Sequence, residues 1–341
     1  MDPKEFLRET KELKIVPFLA ERSRRAHIVA PREIIEAVTA HNPEFRFTYS
    51  HDWRGITGAP DSIFVFDDAD GYPSSLLRRR YPGKNTYVIN FDIALRLACK
   101  EHKLKLWKPE PEYRYCLITT PRTGSTLLAN LLSQLGVGNP TEHVRAPLVH
   151  IIKHGGYGFE KVLENLARIA SRNEVFGTKF ISTFLQYIFG DDGMEGLGEY
   201  LNAKEYKVVF LKRDLCDQAV SSYFAARTNV WHLFDKNKFS AKGDIPYDFS
   251  SINEIYQRFR KEERLVDQIA AAIPPHRQIT ILYEDLDTDS LATAGHVKTF
   301  VGAELPDSEV HMDKVPQKIS GLDERIPECR QRFEHELQAY G

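Results

Sequence analysis

The 341-residue sequence predicts an α/β chain with a P-loop-like, doubly wound, mostly parallel sheet flanked by helices. An additional small α/β module precedes that sheet. Three observations predict this class. The segment 115–135 reads as an apolar strand, a tight glycine-containing loop and then a helix. The run Val208-Val-Phe-Leu211 is apolar without alternation, as in a central strand covered on both faces. Between these landmarks, strand and helix patterns take turns along the chain, which parallel sheets with crossover helices require.

Taken in order, the first third carries short β-branched or aromatic runs at 27–30, 46–50, 62–66 and 86–90, with helical patterns at 32–39 and 74–80. A break falls at 107–114, where Trp107-Lys-Pro-Glu-Pro-Glu-Tyr-Arg114 combines two prolines with mixed charge. It divides the chain into a module over 1–112, whose role the sequence does not assign, and a main domain over 113–341. In the main domain a strand is expected at 115–120. The following helix covers 125–135, because Leu127, Leu128, Leu131, Leu132 and Leu135 recur on one face and Gly136 supplies a stop. Further strands are expected at 175–179, 207–212 and 279–283, with helices at 159–170, 214–227 and 252–272.

Composition narrows the function classes. A formal net charge of −2 argues against general nucleic-acid binding. The basic clusters Arg22/Arg24/Arg25 and Arg78/Arg79/Arg80 read as solvated helix faces. Four scattered cysteines, with no CxxC pair, give no support to a zinc or redox motif, and Cys116 and Cys216 read as small buried hydrophobes. The charged start MDPKEFLRETKELK has no apolar h-region, and no run reaches the roughly 18 residues of a membrane span. A cytoplasmic enzyme without a metal is expected.

The most informative stretch is Cys116-Leu-Ile-Thr-Thr-Pro-Arg-Thr-Gly-Ser-Thr-Leu-Leu128. A strand that enters a helix through a tight loop presents unpaired backbone N–H groups and the positive end of a helix dipole, an anion site. Gly124 allows close approach of the backbone, Thr123, Ser125 and Thr126 offer hydroxyls, and Arg122 offers a planar charged fork. The loop lacks the first glycine and the lysine of GxxxxGK[ST]. A capped core helix is the bland alternative.

The loop Pro121-Arg-Thr-Gly-Ser-Thr126 resembles the 5′-phosphosulfate loop of sulfotransferases that use 3′-phosphoadenosine 5′-phosphosulfate (PAPS). In that family an arginine closes a central strand and a serine follows eight residues on; Arg213 and Ser221 stand at that spacing. About two helical turns, near 10 Å at most, separate such positions. Two anion sites on neighbouring strands suit a nucleotide with phosphate at both ends. The plain alternatives are a salt bridge from Arg213 to Asp214 or Asp217, and an ordinary helix serine.

Asp217-Gln-Ala-Val-Ser-Ser-Tyr-Phe-Ala225, Asn229-Val-Trp231 and Leu135-Gly-Val-Gly-Asn-Pro-Thr-Glu-His-Val144 narrow the resemblance to the bacterial trehalose 2-sulfotransferase and lipopolysaccharide sulfotransferase type, over roughly 113–341. The resemblance implies a sulfuryl transfer from PAPS to a hydroxyl of a small-molecule or glycolipid acceptor, a carbohydrate in kind, with PAP released. It implies Glu142 as the base, with His143 as competitor. Lys179, ending a strand on the ligand side, is a candidate to touch the transferring sulfonate, with a surface lysine as the alternative. Gln317 and Lys318 are candidates for a C-terminal segment closing over the nucleotide, although the GxxGxxK segment of cytosolic sulfotransferases is absent. Trp231 and His232 are candidates for an acceptor pocket, while Tyr283-Glu-Asp-Leu286 reads as structural. A homodimer stays open. The competing readings are a P-loop-type small-molecule kinase and a nucleotide-binding module without catalysis.

Overall fold

The computed structural model describes residues 25–30, 32–41, 47–50, 55–56, 60, 62–65, 85–88, 110–145, 148–154, 158–228, 230–231, 245–302, 310–316 and 324–340. The chain divides into two compact units, one of residues 1–107 with 144–166 and one of 108–143 with 167–341.

In the first unit the alternation expected from the sequence appears as β1 (Ala26–Val29), α1 (Arg32–His41), β2 (Thr48–Ser50), β3 (Ser62–Val65) and β4 (Asn85–Val88). The strands are parallel, in the order β2-β1-β3-β4. All of β1 is buried, including His27, whose ring lies 2.7 Å from Thr48 Oγ1 and 2.8 Å from Ser50 Oγ. Both nitrogens are thereby satisfied, and burial depresses the imidazole's affinity for a proton. The helix α3 (Leu148–His154) groups with this unit. Arg25 is exposed just ahead of β1, where the sequence reading had placed it on a helix face. The expected helix at 74–80 lies outside the described residues, as do Arg22, Arg24 and Arg78 to Arg80.

The second unit contains β5 (Tyr113–Thr119), α2 (Ser125–Gln134), β6 (Val175–Ile181), α5 (Ser182–Phe189), α6 (Met194–Ala203), β7 (Lys207–Lys212), α7 (Leu215–Thr228), α8 (Phe249–Ala271), β8 (Gln278–Leu282), α9 (Tyr283–Thr288), α10 (Ser290–Val301) and α11 (Arg325–Tyr340). Helix α4 (Phe159–Ala170) precedes β6. The strand order is β6-β5-β7-β8, with every pairing parallel. From β5 the chain goes to β6 on one side, and from β6 it crosses back past β5 to β7 on the other. That reversal opens a crevice beyond the carboxyl end of β5, the usual ligand position in such sheets.

Packing follows from strand alternation. Tyr115 and Leu117 of β5 join Leu128, Leu131 and Leu132 of α2 and Val297 and Val301 of α10 in one core cluster. The neighbouring positions Cys116 and Ile118 are also fully buried, as expected of a strand covered on both faces. A second cluster joins Val220, Tyr223 and Phe224 of α7 to Ile252 of α8 and Phe333 of α11. Gly177 of β6 makes room for Tyr115, since an added Cβ would lie 2.6 Å from its ring. Tyr115 in turn donates to the Val137 carbonyl at 2.7 Å, anchoring the segment that leaves α2.

The sequence reading missed α3, α5, α6, α9, α10 and α11. Helix α5 begins with no break after β6, and its Ser-Thr-Phe-Leu-Gln-Tyr-Ile-Phe is as compatible with a strand as with a helix. Tyr283, read as a strand end, is instead the first residue of α9. Cys116 and Cys216 are buried free thiols, and burial raises the proton affinity of both, Cys216 to about 11. No helix among the described residues is long and apolar enough to cross a membrane.

Candidate active site

The crevice at the end of β5 is built from the loop Thr120 to Gly124 and the first turn of α2. Gly124 caps α2 with φ 77°, the left-handed region, and no side chain caps the helix. The first-turn amides therefore point outward without a partner within the helix. A side chain at 124 would also be excluded sterically, because an added Cβ would lie 2.7 Å from the Tyr283 ring. Arg122 is held in the left-handed region as well, at φ 69°, a conformation disfavoured for a residue with a Cβ.

Threonines hold the loop from beneath. Thr119 Oγ1 meets Thr123 Oγ1 and reaches the Leu211 carbonyl of β7 at 3.2 Å. Thr120 donates to Gln218 Oε1 at 2.8 Å, and Gln218 Nε2 donates to the Arg213 carbonyl at 2.8 Å. Gln218, which the sequence reading passed over, thus ties the loop to the end of β7. Its only advance signal is a polar side chain in a helix buried on most sides.

Arg122, Arg213 and Ser221 come together. Arg122 donates from Nε and Nη2 to Ser221 Oγ at 3.2 and 3.1 Å, and from Nη1 to the Trp231 carbonyl. Arg213 Nη1 donates to the Arg122 carbonyl at 3.1 Å, and its guanidinium stacks 4.0 Å from the centre of the Tyr283 ring. Arg213 Nε is buried without a hydrogen-bond partner. Burial, and next the neighbouring Arg213 charge, lower the Arg122 pKa to about 10. Two guanidinium groups, a serine hydroxyl and an uncapped helix start suit an anion of more than one charge. Arg330 of α11, rather than Arg213, makes the ion pairs with Asp214 and Asp217, at 3.9 and 3.6 Å.

On the other side of β5 the segment after α2 runs beside β6, with Thr141 bridging Thr178 and the Lys179 amide donating to the Thr141 carbonyl at 2.9 Å. Lys179, almost fully buried, donates to Thr126 Oγ1 at 3.1 Å and lies 2.8 Å from Glu142 Oε1. Glu142, Lys179 and the start of α2 therefore meet. The described contacts of His143 are with other groups. Its ring nitrogens lie 3.2 Å from Thr141 Oγ1 and from Thr178 Oγ1, and the ring packs near Phe176. Thr178 and Lys179 are successive strand residues, so their side chains take opposite faces of β6.

Trp231 is exposed and is held through its carbonyl. Gln317, Lys318 and His232 lie outside the described residues. Among the described residues, no group of three or more His, Cys, Asp or Glu side chains is arranged to hold a metal ion.

Comparison with known proteins locates the same region. The model of the family described as Stf0 sulphotransferase matches residues 114–334. The comparison with curated proteins gives no match. Among solved structures, the sulfotransferase domain of the Synechococcus PCC 7002 olefin synthase is similar at 15% identity, covering 67% of this chain and 90% of that one, with a TM-score of 0.35. The sulfotransferase domain of the curacin biosynthetic pathway is similar at 15% identity, covering 68% and 99%, with a TM-score of 0.36. A sulfotransferase from Alicyclobacillus acidocaldarius is similar at 12% identity, covering 68% and 96%, also at 0.36.

Proposed function

The chain belongs to the Stf0 sulphotransferase family, and from that premise we propose that it moves a sulfuryl group from PAPS to a hydroxyl of a carbohydrate or glycolipid acceptor, releasing PAP. The observation that carries the choice of donor is the convergence of Arg122, Arg213 and Ser221 beside the uncapped start of α2. The unpartnered Arg213 Nε and the uncapped start of α2, entered through a left-handed Gly124, fit a bound nucleotide phosphate. Membership of a sulfotransferase family does not favour the kinase reading or the non-catalytic one.

PAPS supplies a sulfonate already activated by its bond to phosphate. In the transfer, the acceptor oxygen forms a bond to sulfur while the bond from sulfur to the 5′-phosphate oxygen breaks, and that electron pair leaves on PAP. The acceptor's proton passes to the Glu142 carboxylate. The chain's part is to position and to stabilise charge, as in phosphoryl transfer. In this reading the amides of Thr123 to Thr126 and the hydroxyls of Ser125 and Thr126 hold the 5′ end, Arg122, Arg213 and Ser221 gather round the 3′-phosphate, and Lys179 offsets charge at the reacting end.

Calorimetry tests the donor. PAP binds far more tightly than AMP if Arg213 and Ser221 read the 3′-phosphate. Hydrogen bonds to charged groups contribute about 1.5–3 kcal/mol each, so Arg213→Ala weakens PAP by roughly tenfold to over a hundredfold and leaves AMP unchanged. Equal affinity of the wild type for PAP and AMP overturns the assignment.

A further inference from the structure

Glu142 and Lys179 form an ion pair that reaches into the anion cradle. The ammonium lies 2.8 Å from the carboxylate and also donates to Thr126 Oγ1, on the first turn of α2. Its side chain is 5% exposed, against 31% for Glu142, and its backbone is pinned to Thr141, the residue before Glu142. One buried cation therefore touches both the carboxylate that would take the acceptor's proton and the loop that would hold the donor.

Arg122, Arg213 and His143, near the same cradle, make described contacts of their own. Arg122 reaches Ser221 and Trp231, Arg213 reaches the Arg122 carbonyl and Tyr283, and the His143 ring lies against Thr141 and Thr178. An ammonium in contact favours a carboxylate's charged form and so makes it a weaker proton acceptor. A second anion within reach of the same ammonium competes for it.

We propose that Lys179 gates Glu142. In the free protein the ammonium holds the carboxylate as its ion pair. A sulfonate delivered to the start of α2 draws the ammonium to itself and so makes the carboxylate a stronger proton acceptor. The lysine keeps its three protons throughout, and no bond to it forms or breaks. Rests on the donor reading above, this gate makes donor binding the event that switches on the base.

The experiment follows the Glu142 side-chain carboxyl by NMR in protein labelled with ¹³C-glutamate, its signal assigned by its loss in Glu142→Gln. The carboxyl is titrated in free wild type, in wild type with saturating PAPS and no acceptor, and in free Lys179→Met. The expected result is a midpoint raised by about one to three pH units both with PAPS and in Lys179→Met, relative to free wild type. Lys179→Arg, which keeps the charge, stays near free wild type. Should Lys179→Met not fold, the PAPS comparison on wild type still decides. PAPS that binds, seen by calorimetry, yet leaves the midpoint unmoved overturns the gate alone. PAPS that does not bind overturns the donor reading beneath it.

Discussion

Neighbours in the chain acquire different surroundings here, and Glu142 and His143 are the clearest case. The parallel bridge between Thr141 and Thr178 aligns their segment with β6, whose side chains alternate between faces. Glu142 meets Lys179, while His143 meets Thr178. This separation argues for Glu142 as the group that accepts the acceptor's proton. Glu142→Gln keeps the shape and loses the basicity, so kcat falls by about 10²–10⁴ while PAP affinity, measured by calorimetry, stays near wild type. His143→Ala costs much less. A mild Glu142→Gln beside an inactive but folded His143→Ala transfers the role to the histidine. The sequence named both residues because the motif holds both, and it could not order them, because strand register sets which face each one takes. Tyr283 read as structural, and its ring lies against Arg213 and leaves no room for a side chain at Gly124.

Elements are held to one another by a buried carboxylate that no local pattern announces. Glu262 of α8 is 1% exposed and accepts from Ser182 Oγ at 2.5 Å and from Thr183 Oγ1 at 3.1 Å, at the start of α5 directly after β6. Burial raises its pKa above 4.5, outweighing the lowering by both hydroxyls and by Arg258. A carboxyl whose folded pKa is raised binds its proton more tightly in the folded state. Its contribution to stability is then fully present below the unfolded pKa and is lost as pH rises through the folded one. Glu262→Gln, which mimics the neutral form, should flatten the dependence of melting temperature on pH just above 4.5, while Glu262→Ala strands the Ser182 and Thr183 hydroxyls and lowers the melting temperature at every pH. Thermal melts across pH 4 to 8 (roughly the window of carboxyl linkage) check this. An unchanged slope in Glu262→Gln removes Glu262 from the acid dependence.

At the scale of the whole molecule, the chain does not pass from one compact unit to the other only once. Residues 144–166 group with the first unit and include the buried Leu148, Val149, Phe159, Val162 and Leu163. The crossing between 107 and 108 falls at the start of the Pro-rich stretch 107–114, where prolines and mixed charge disrupt local structure. The later crossings carry no such punctuation. A fragment of residues 113–341 would keep 144–166 without the unit it groups with, and its apolar residues would be left without their packing partners. Relative to the full chain, that fragment is expected to bind more of a hydrophobic dye and to melt earlier. A fragment with the melting temperature of the full chain would instead place 144–166 with the second unit.

By itself, the sequence determined the parallel α/β class, the strand, loop and helix around Gly124 and the doubly buried β7, and it offered Arg122, Glu142, Lys179, Arg213 and Ser221 as candidates. Those features rest on local causes: apolar spacing, a glycine where the backbone is left-handed, and a strand too apolar to face water. Only the tertiary structure decided that Arg122 reaches Ser221, that Lys179 bridges Glu142 and Thr126, and that Tyr283 supports Arg213. Each of these contacts joins residues far apart in the chain. Which side chains meet then depends on strand order, register and the face each residue takes, and these are settled only when the whole sheet packs.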